Sequence, residues 1–573
     1  MRCSAAEGKK FHLINHLLIF LFLIATLGNI LGCRKTERKS VLISADVNRD
    51  GVVDFDSDLA GKSVWTFERG AFIFNNNDSD TNSGHPDYAD SAVNGREDLK
   101  DLALLRIRRS KKLPPGTAVL LSVDESSYSR VRIFLKGDDK GYSALDLRKG
   151  VDLALYLEKR LELELRIEAN SYSDSIWEGF TEVKISLEFL GKPLETDVVK
   201  LKVAPFILLS NLNKGKVLYV REFPGRNEAF IQSLKKIVPS SGADLFIIPG
   251  GEPYPPHQIW LQDAMEIGYS EIPGQRMNVV LRANRGKALD NFAKNELLGP
   301  DFGWLKIGTL REKYAIGRGG NGWLDWYGNL EVTPPFPGYP LGRIYYGYNP
   351  DGPDEASLNP EIVAVLEAQL VQTPAIRLDT GWLLIKHVDE VISFVPSGQI
   401  KNPFKIMVVD TPSLISLLQK WVKKGYGNTP LLDIHHKGMT VKNLLENKEI
   451  ITYNRILQKE RIEPNIDLLK KELGVSEEDF IRIPSLFTPK GLALVPNMVN
   501  SIVLNGHLLI IDPNGPKING QDLLKEEIKK LFSGLPLELH FVDARQYHQW
   551  SGEVHCGTNV RREGFDKPWW EMK

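Results

Sequence analysis

A chain of 573 residues is long enough for several domains, about four on a size prior of roughly 150 residues each. Its 72 Lys and Arg nearly balance its 73 Asp and Glu, and a net charge of -1 excludes a global field that would recruit nucleic acid or an anionic membrane. With 42% hydrophobic and 25% charged residues, the composition is that of an ordinary folded globular protein.

The first 33 residues differ in character from the rest. Basic residues near the start precede an apolar run over residues 11–31. Residues 30–33, Ile-Leu-Gly-Cys, resemble a bacterial lipobox, which implies cleavage of a signal peptide (residues 1–33) before Cys33 and attachment of lipid to that cysteine. An uncleaved transmembrane anchor is the alternative, because the run is nearly long enough to span a bilayer. In either case we expect an exported protein, held to a membrane at the cell surface or in the periplasm.

Two acidic stretches follow within the first folded region, which we place at residues 34–205. The first stretch alternates oxygen-bearing side chains with other residues around a glycine bend, and these are Asp46, Asn48, Asp50 and Asp54. The second stretch holds Asn76, Asp78, Asp80, Asp87, Asp90, Asp98 and Asp101. Calcium takes roughly six to eight oxygen ligands, and crowded carboxylates repel one another unless cations neutralise them. We predict calcium binding in both stretches; a solvated acidic turn and a wet surface are the alternatives.

The remainder of the first region has the pattern of strands. Apolar residues recur at every second position over residues 118–123, 131–135, 161–167 and 183–189. A period of two is typical of strands that bury one face. Several such strands at short spacing predict a β-sandwich.

The second region, residues 206–573, alternates strands with amphipathic helices. Residues 245–249 and 406–409 are apolar runs typical of buried strands, while residues 227–238 and 412–424 have helical periodicity. Such alternation ordinarily suggests a doubly wound sheet. No phosphate loop accompanies it, so nucleotide binding has no support. No clear internal repeat is visible in the sequence.

A single cysteine carries the strongest chemical signal. Cys3 and Cys33 fall in the export segment, which leaves Cys556 alone in the body of the protein. A lone cysteine is most often a buried, inert thiol. Residues 551–562, however, read Ser-Gly-Glu-Val-His-Cys-Gly-Thr-Asn-Val-Arg-Arg, which resembles the catalytic-cysteine signature of the protein-arginine deiminases. These enzymes hydrolyse peptidyl arginine to citrulline.

Two further motifs match that family and suit the same chemistry. A substrate guanidinium is planar, cationic and rich in donors, so it binds well to a carboxylate fork beside an aromatic wall. Asp263 and Trp260 supply this pair, although Asp263 alone could simply begin a helix. On a strand, His387 and Asp389 would share one face and point into one pocket as acid/base and substrate anchor, with Glu390 facing away. A structural histidine is the alternative.

The resemblance also implies a fold, a metal and the ligands of that metal. The fold is an α+β multidomain chain, with an immunoglobulin-like β-sandwich followed by an α/β propeller of five units (a pentein) and without the first domain of the vertebrate enzymes. The metal is Ca²⁺ beside the active site, with ligands matched to Gln262, Glu266, Glu331 and the carbonyl groups of Tyr327 and Leu330. Asp301 matches a further ligand, which ties this domain to the second acidic stretch; both acidic stretches match the family's calcium-binding middle domain.

The chain departs from the vertebrate pattern at several positions near the site. Ala264 replaces an acidic ligand and residues 281–286 lack others, so we expect a second calcium site beside the catalytic centre to be lost. Arg285 keeps one of the two arginines that grip the substrate's backbone carbonyls, whereas Ala283 replaces the other. Trp550 stands where the family has an arginine. These changes bear on substrate specificity and leave the four catalytic side chains in place.

These observations predict a calcium-dependent enzyme that hydrolyses arginine side chains of proteins or peptides to citrulline and ammonia through a covalent Cys556 intermediate. A deiminase of free arginine or agmatine would use the same side chains and is the first alternative. A calcium-stabilised surface binding protein without activity is the second. No basic-aromatic patch supports nucleic-acid binding, and the sequence indicates neither the oligomeric state nor the protein substrates.

Overall fold

The protein is described here by a computed structural model that covers residues 39–572 apart from 82–83, 312–319, 354–355 and 432–437. Cys33 and the apolar run before it lie outside these described residues. Among the helices in the described ranges, none combines the length and the apolar character needed to cross a membrane. The described chain is a mixed α/β structure.

The first region forms two five-stranded sheets around one core. Its strands are β1 (Val41–Ala45), β2 (Ala71–Ile73), β3 (Ala103–Arg109), β4 (Thr117–Val123), β5 (Val131–Lys136), β6 (Tyr142–Ala144), β7 (Val151–Asp152), β8 (Glu162–Ala169), β9 (Phe180–Phe189) and β10 (Lys192–Val203). The sheet orders are β1-β3-β8-β5-β6 and β2-β10-β9-β4-β7, with β2 and β10 paired in parallel. Ile43 and Leu165 of one sheet share an apolar core with Val119 and Val199 of the other. The four strands predicted from the period of two are confirmed as β4, β5, β8 and β9.

The second region builds five sheets of three or four strands and one sheet of two strands within the described residues. Its strands are β11 (Ile207–Leu208), β12 (Gly215–Arg221), β13 (Asp244–Ile248), β14 (Met265–Ile272), β15 (Gln275–Arg282), β16 (Phe302–Lys306), β17 (Leu330–Val332), β18 (Ile344–Tyr348), β19 (Ile376–Asp379), β20 (Ile392–Pro396), β21 (Phe404–Asp410), β22 (Phe480–Pro484), β23 (Ile502–Leu504), β24 (His507–Ile511), β25 (Lys517–Ile518), β26 (Gln521–Asp522), β27 (Glu538–Val542) and β28 (Thr558–Arg562). The sheet orders are β11-β14-β15-β16, β13-β12-β28, β17-β18-β19, β20-β21-β22 and β23-β24-β27, while β25 pairs with β26.

Each of these five sheets combines an antiparallel pair with a further strand added in parallel. In one of them the two ends of the region meet, because β28 pairs with β12 and places Val560 opposite Leu218. A similar small unit therefore recurs, although the sequence shows no repeat. The single doubly wound sheet that the alternation alone suggests does not form.

The helices lie mainly between the strands of the small sheets. They are α1 (Arg96–Asp101), α2 (Ala154–Lys159), α3 (Glu228–Ile237), α4 (Pro360–Ala368), α5 (Thr411–Lys423), α6 (Val441–Glu446), α7 (Lys448–Leu457), α8 (Glu463–Leu473), α9 (Leu523–Leu531) and α10 (Arg545–Gln549). The two helices predicted from periodicity are confirmed as α3 and α5. Helix α5 begins after Asp410, whose carboxylate accepts a hydrogen bond from Ser413 N, and it has Pro412 in its first turn.

One apolar core continues from the first region into the second. It includes Tyr172 and Leu201 of the first region together with Tyr269, Tyr327 and Leu330 of the second. Burial of such large side chains is the main stabilising contribution to a domain. The segment that is predicted to offer carbonyl groups to calcium is therefore anchored in the core that joins the two regions.

A buried arginine fixes a loop at the rim of the candidate site. Arg221 ends β12 and is fully buried. Its guanidinium donates to the carbonyl oxygens of Gly251, Pro255 and Gln258 at 3.0, 2.6 and 2.9 Å, and also to that of Tyr254. A guanidinium has five N–H donors in a fixed plane, so one side chain can hold several inward-facing carbonyls. One buried side chain thus contacts four carbonyl groups of the loop that carries Gln258 to the cavity described below.

Candidate active site

A cavity of about 220 Å³ lies beside Cys556 in the second region. Five of the residues predicted for catalysis and substrate binding line it: Trp260, Asp263, Arg285, His387 and Cys556. Asp389 reaches the same place, because its Oδ2 lies 3.5 Å from Cys556 Sγ. The structure therefore brings the four predicted catalytic side chains together from three separate segments of the chain.

Aromatic rings form much of the cavity wall. Trp323 and Trp326, to which sequence reasoning assigned no role, stack with their ring centroids 4.9 Å apart. Trp550 also lines the cavity and stacks on Phe223 with a centroid separation of 5.2 Å. Indole faces attract cations, so the wall is chemically suited to a guanidinium.

Short turns position the acid/base groups, whereas the sequence analysis placed them on a strand. Residues Val388–Glu390 form a 3-10 turn, and His387 is the residue before it. The turn forms because the Glu390 carboxylate accepts a hydrogen bond from His387 N at 3.2 Å, which folds the chain back on itself. His387 and Asp389 still reach one site, but Glu390 does not face away; it borders a second, smaller cavity on another side of Cys556.

His387 is fully buried, and its contacts define its tautomer. Its Nε2 lies 2.8 Å from the carbonyl oxygen of Trp323, which can only accept a hydrogen bond. Nε2 therefore carries the hydrogen, and Nδ1 is the nitrogen that gains or loses a proton. Nδ1 lies 3.4 Å from Asp263 Oδ1 and belongs to the same cavity.

The two aspartates bring buried negative charge to the cavity without full compensation. Burial raises the pKa of Asp263, and His387 and Arg285 partly offset this effect. Asp389 Oδ2 accepts a hydrogen bond from His555 Nδ1 at 2.9 Å. Within the described part of the chain, Asp263 Oδ1 and Asp389 Oδ1 are buried and have no hydrogen-bond partner. Buried carboxylate oxygens of this kind require a donor, and a ligand with several N–H groups would supply it.

Cys556 lies in the same negative environment. Burial raises the pKa of its thiol well above the ordinary value, and the carboxylates of Asp389, Asp263 and Glu390 raise it further. A thiolate beside these groups is unfavourable until some positive charge enters the cavity.

A glycine leaves the space in which the predicted catalytic groups meet. A Cβ added to Gly328 would lie 2.5 Å from His387 Nδ1, 3.0 Å from Asp263 Oδ1 and 3.2 Å from Asp389 Oδ2. Contacts this short require the neighbouring atoms to move. Sequence reasoning assigned no role to Gly328, although its lack of a side chain inside a matched motif was a possible signal.

Arg285 is held in the cavity wall rather than extended toward solvent. Its Nε donates to Asp290 Oδ1 at 2.7 Å and its Nη1 to the carbonyl of Trp260 at 3.2 Å. Nη1 also lies 3.8 Å from Asp263 Oδ2. The guanidinium therefore compensates Asp290 and part of the charge of Asp263. A grip on the substrate's backbone, which the resemblance implies for Arg285, stays a prediction.

The oxygen ligands predicted for calcium beside the site come together. Gln262 Nε2 lies 2.7 Å from Glu266 Oε2 and 3.3 Å from the carbonyl oxygen of Tyr327. Among the described residues, the buried Oε1 of Glu331 has no hydrogen-bond partner. Burial raises the pKa of Glu266 and that of Glu331 to about 8 each. The buried carboxylates and the carbonyl of Tyr327, with Leu330 following in the same segment, offer oxygen atoms that fit a hard cation such as Ca²⁺. Gln262 instead turns its amide nitrogen toward them, while its Oε1 accepts a hydrogen bond from Asn559 Nδ2.

The second acidic stretch also converges. Carboxylate oxygens of Asp78, Asp80 and Asp87 lie within 4.8 Å of one another. Burial raises the pKa of Asp78 to about 9, that of Asp87 to about 7 and that of Asp80 to about 6. In the ranges that the structure describes, Asn76 Oδ1, Asp78 Oδ1 and Asp80 Oδ2 are buried without a hydrogen-bond partner. These unsatisfied oxygens fit a cation-binding cluster.

The other residues predicted as ligands of this cluster make contacts that differ from one residue to the next; they are Asp90, Asp98, Asp101 and Asp301. Gln275 Nε2 lies 2.9 Å from Asp101 Oδ1 and 2.6 Å from Asp301 Oδ1, and Asp301 N donates to Asp78 Oδ2 at 2.9 Å, so Asp301 does join the two regions. Asp98 Oδ1 accepts from Asn76 Nδ2 at 3.0 Å. The exposed Asp90 instead accepts from Ala92 N and Asn94 Nδ2 and so stabilises a local turn.

The first acidic stretch forms a compact loop whose oxygens accept hydrogen bonds from the loop itself. Asp46 accepts from the backbone N–H groups of Asp50 and Gly51 at 3.1 and 3.0 Å, and Asn48 Oδ1 accepts from Asp50 N at 3.1 Å. Asp54 accepts from backbone N–H groups that follow it. This geometry suits the solvated turn as well as a calcium loop, so calcium binding here stays a prediction.

Comparisons with known proteins cover nearly the whole described chain. Residues 193–571 match the sequence model of the protein-arginine deiminase family, and residues 40–188 match that of the family's middle domain. The protein-arginine deiminase type-4 of Homo sapiens is 33% identical over 93% of this chain and 82% of its own length. The protein-arginine deiminase type-1 of Mus musculus is 32% identical over 92% of this chain and 82% of its own length.

Among solved structures, the agmatine deiminase of C. jejuni covers 63% of this chain and 96% of its own with a TM-score of 0.38 and 14% identity, a likeness too weak to assign the fold. The two family models and the identity to curated relatives are sufficient. The chain belongs to the protein-arginine deiminase family and is a hydrolase that acts on guanidino groups.

Proposed function

We propose that this protein hydrolyses peptidyl arginine to peptidyl citrulline and ammonia, with Cys556 as the covalent nucleophile and Ca²⁺ as a structural requirement. The main support is a pair of buried carboxylates at a cavity that also holds a buried thiol and His387 Nδ1. Each carboxylate has one oxygen without a hydrogen-bond partner among the described residues. A guanidinium offers the positive charge and the N–H donors that these oxygens lack.

The substrate is bound by complementary charge and by an aromatic wall. Asp263 and Asp389 accept charge-assisted hydrogen bonds from the guanidinium nitrogens. Trp260 covers the flat, apolar face of the group, and Trp323 and Trp326 continue the wall. This arrangement orients the guanidinium carbon toward Cys556.

The bound guanidinium also activates the nucleophile. The carboxylates of Asp389 and Asp263 raise the pKa of the Cys556 thiol in addition to the effect of burial. A guanidinium between these carboxylates neutralises their field, so the thiolate becomes more stable when substrate is present. The thiol proton leaves to solvent.

The reaction proceeds in two halves around a thiouronium intermediate. The Cys556 thiolate forms a C–S bond to the guanidinium carbon, and His387 Nδ1–H gives its proton to the nitrogen that leaves as ammonia when its C–N bond breaks. Neutral Nδ1 then takes a proton from water, and the resulting hydroxide attacks the same carbon. The C–S bond breaks, citrulline and thiolate are released, and the second water proton converts ammonia to ammonium.

Calcium is proposed to order the residues that hold the catalytic groups. Gln262, Glu266, Glu331 and the carbonyls of Tyr327 and Leu330 would hold one ion, and the second acidic stretch with Asp301 would hold others. The bound ion supplies positive charge to buried carboxylates and takes no part in bond making. Because Asp263 lies beside Gln262 and Gly328 lies beside Tyr327, the same segments carry metal ligands and catalytic groups.

The finer architecture is part of the proposal. We infer an immunoglobulin-like β-sandwich up to about residue 205 and a five-unit α/β propeller from residue 206 onward. The two five-stranded sheets that share a core support the first, and the five recurring small sheets with the β12–β28 pairing support the second.

The proposed location rests on the first 33 residues alone. We propose that the protein is exported and anchored to a membrane by a lipid on Cys33. Mass spectrometry of protein purified from membranes should find a lipid-modified N-terminal Cys33. An unprocessed N-terminus without lipid would contradict this proposal.

The function is tested by product release from a blocked arginyl peptide, free arginine and agmatine in parallel. We expect citrulline and ammonia from the peptide at rates well above those for the two small substrates. The variant Cys556→Ser should release neither product while retaining calcium binding and its unfolding midpoint. Activity confined to a small substrate would favour the first alternative, and no activity in the folded, calcium-loaded protein would favour the binding protein.

The role of Gly328 is tested by adding one methyl group. Gly328→Ala should lower kcat/KM about 100-fold, because its Cβ displaces His387 Nδ1 and the two carboxylates from their productive positions. Gly251→Ala is the matched control, since a Cβ there has no atom within 4 Å and requires no unusual backbone angle. Equal activities of the two variants would show that the space at Gly328 is not needed.

The calcium requirement is tested by isothermal titration together with activity. Chelator should abolish product release, and calcium should restore it. Glu331→Gln should raise the calcium concentration for half-maximal activity about tenfold or more, because one charged ligand is lost. The exposed Glu158→Gln should leave that concentration unchanged. Full activity of the native protein in chelator would remove calcium from the proposal.

A further inference from the structure

Cys556 lies between two cavities, and Asn500 contacts it from the smaller one. Cys556 lines both the 220 Å³ cavity described above and a cavity of about 20 Å³, whereas Asn500 lines only the smaller. Asn500 Nδ2 lies 3.1 Å from Cys556 Sγ, and Asn500 Oδ1 lies 3.2 Å from Cys556 N. We propose that Asn500 is a further catalytic residue, which stabilises the attacking thiolate by donating a hydrogen bond to the sulfur. This proposal rests on the proposed role of Cys556 as nucleophile.

The orientation of the amide follows from the backbone that it contacts. Cys556 N–H can only donate, so the amide oxygen of Asn500 must face it and the amide nitrogen must face the sulfur. Rotating the amide by half a turn would place two donors against each other in a site where Asn500 is 1% exposed. The sulfur is therefore obliged to accept a hydrogen bond from Asn500 Nδ2, and a thiolate accepts more strongly than a thiol.

The backbone around Asn500 is held to the same segment. His555 N donates to the carbonyl oxygen of Asn500 at 3.4 Å. The neighbouring Asn497 donates from Nδ2 to the carbonyl of Glu390 at 2.7 Å, and its N–H donates to Glu553 Oε1 at 2.9 Å. Asn500 thus contacts two consecutive residues of the nucleophile segment, so its amide needs little rearrangement when charge develops on the sulfur.

The carboxylates near the sulfur disfavour a thiolate, whereas the amide of Asn500 favours it. Asp389 Oδ2, at 3.5 Å, is an acceptor for the thiol hydrogen, and the carboxylates of Asp263 and Glu390 also disfavour a thiolate. The backbone N–H of Glu553 acts in the same direction as Asn500. Among the described side chains, Asn500 is the one whose N–H donates to Cys556 Sγ. When a guanidinium engages Asp389, the acceptor for the thiol hydrogen is occupied while the donor from Asn500 remains.

Two variants separate the donor from the rest of the side chain. Asn500→Ala removes both contacts. Asn500→Asp keeps an oxygen for the Cys556 N–H and replaces the donor to the sulfur by a second oxygen. Leu492→Ala is the matched control, because Leu492 lines the same small cavity with a side chain that can donate no hydrogen bond. Each variant is made in the full chain, and its unfolding midpoint and calcium stoichiometry are compared with those of the native protein.

The first readout is the pH dependence of Cys556 alkylation by iodoacetamide, with Cys556→Ser supplying the background from the other cysteines. We expect the midpoint to rise by about one to two pH units in Asn500→Ala and at least as much in Asn500→Asp. The second readout is turnover of a blocked arginyl peptide. We expect kcat to fall about 10²-fold to 10³-fold, as for loss of one donor to a reacting anion, while KM changes little because Asn500 lies outside the substrate cavity.

The results distinguish failure of the proposed role of Cys556 from failure of the proposed role of Asn500. Activity in Cys556→Ser would overturn the nucleophile assignment, and with it the role of Asn500. An inactive Cys556→Ser together with a native alkylation profile and native kcat in Asn500→Asp would overturn the role of Asn500 alone. Equal shifts in Leu492→Ala and Asn500→Ala would reduce Asn500 to a packing residue and also overturn its proposed role. If Asn500→Ala does not fold, Asn500→Asp, which keeps the bond to Cys556 N, carries the test.

Discussion

Uncompensated negative charge around one thiol is the constraint on which the site depends. Asp263 and Asp389 are buried beside Cys556, and each keeps one oxygen without a partner among the described residues. Burying such groups is costly unless they are paired, and the protein offsets the cost only in part, through Arg285 beside Asp263 and His555 beside Asp389. The rest of the compensation is left to a cationic ligand, which makes the site selective for guanidinium.

The same constraint links the site to the predicted calcium ligands. His555 lies between Asp389 Oδ2, at 2.9 Å, and Glu331 Oε1, at 3.5 Å. A predicted catalytic carboxylate and a predicted calcium ligand therefore contact the same imidazole. Farther away, Asp301 of the second region donates its N–H to Asp78 of the first. A cation at Glu331 would hold segments of the active site. A cation at Asp78 and Asp301 would hold segments of both regions. Charge compensation is therefore distributed over the molecule rather than confined to the cavity.

Sequence reasoning succeeded where chemistry or periodicity was local. The period of two identified four strands of the first region, and the motifs around Cys556, Asp263 and His387 identified side chains that the fold does bring together. It failed where a contact depends on distant segments. The β12–β28 pairing and the contact of Asn500 with Cys556 leave no local pattern in the sequence. The turn at Val388–Glu390 was missed because a strand was assumed for His387 and Asp389, whereas a hydrogen bond from His387 N to the Glu390 carboxylate closes a turn there.

The proposed dependence of the thiolate on substrate also bears on the proposed location outside the cytoplasm. Oxidants attack the thiolate far faster than the thiol, and the proposed location is an oxidising one. Burial and the nearby carboxylates raise the pKa of Cys556, which disfavours the oxidation-prone thiolate before substrate binds. A donor such as Asn500 then has to be strong enough to support the thiolate once a guanidinium arrives, but too weak to create it beforehand. A neutral amide meets this condition, whereas a lysine or arginine at the same place would hold the sulfur permanently as a reactive anion.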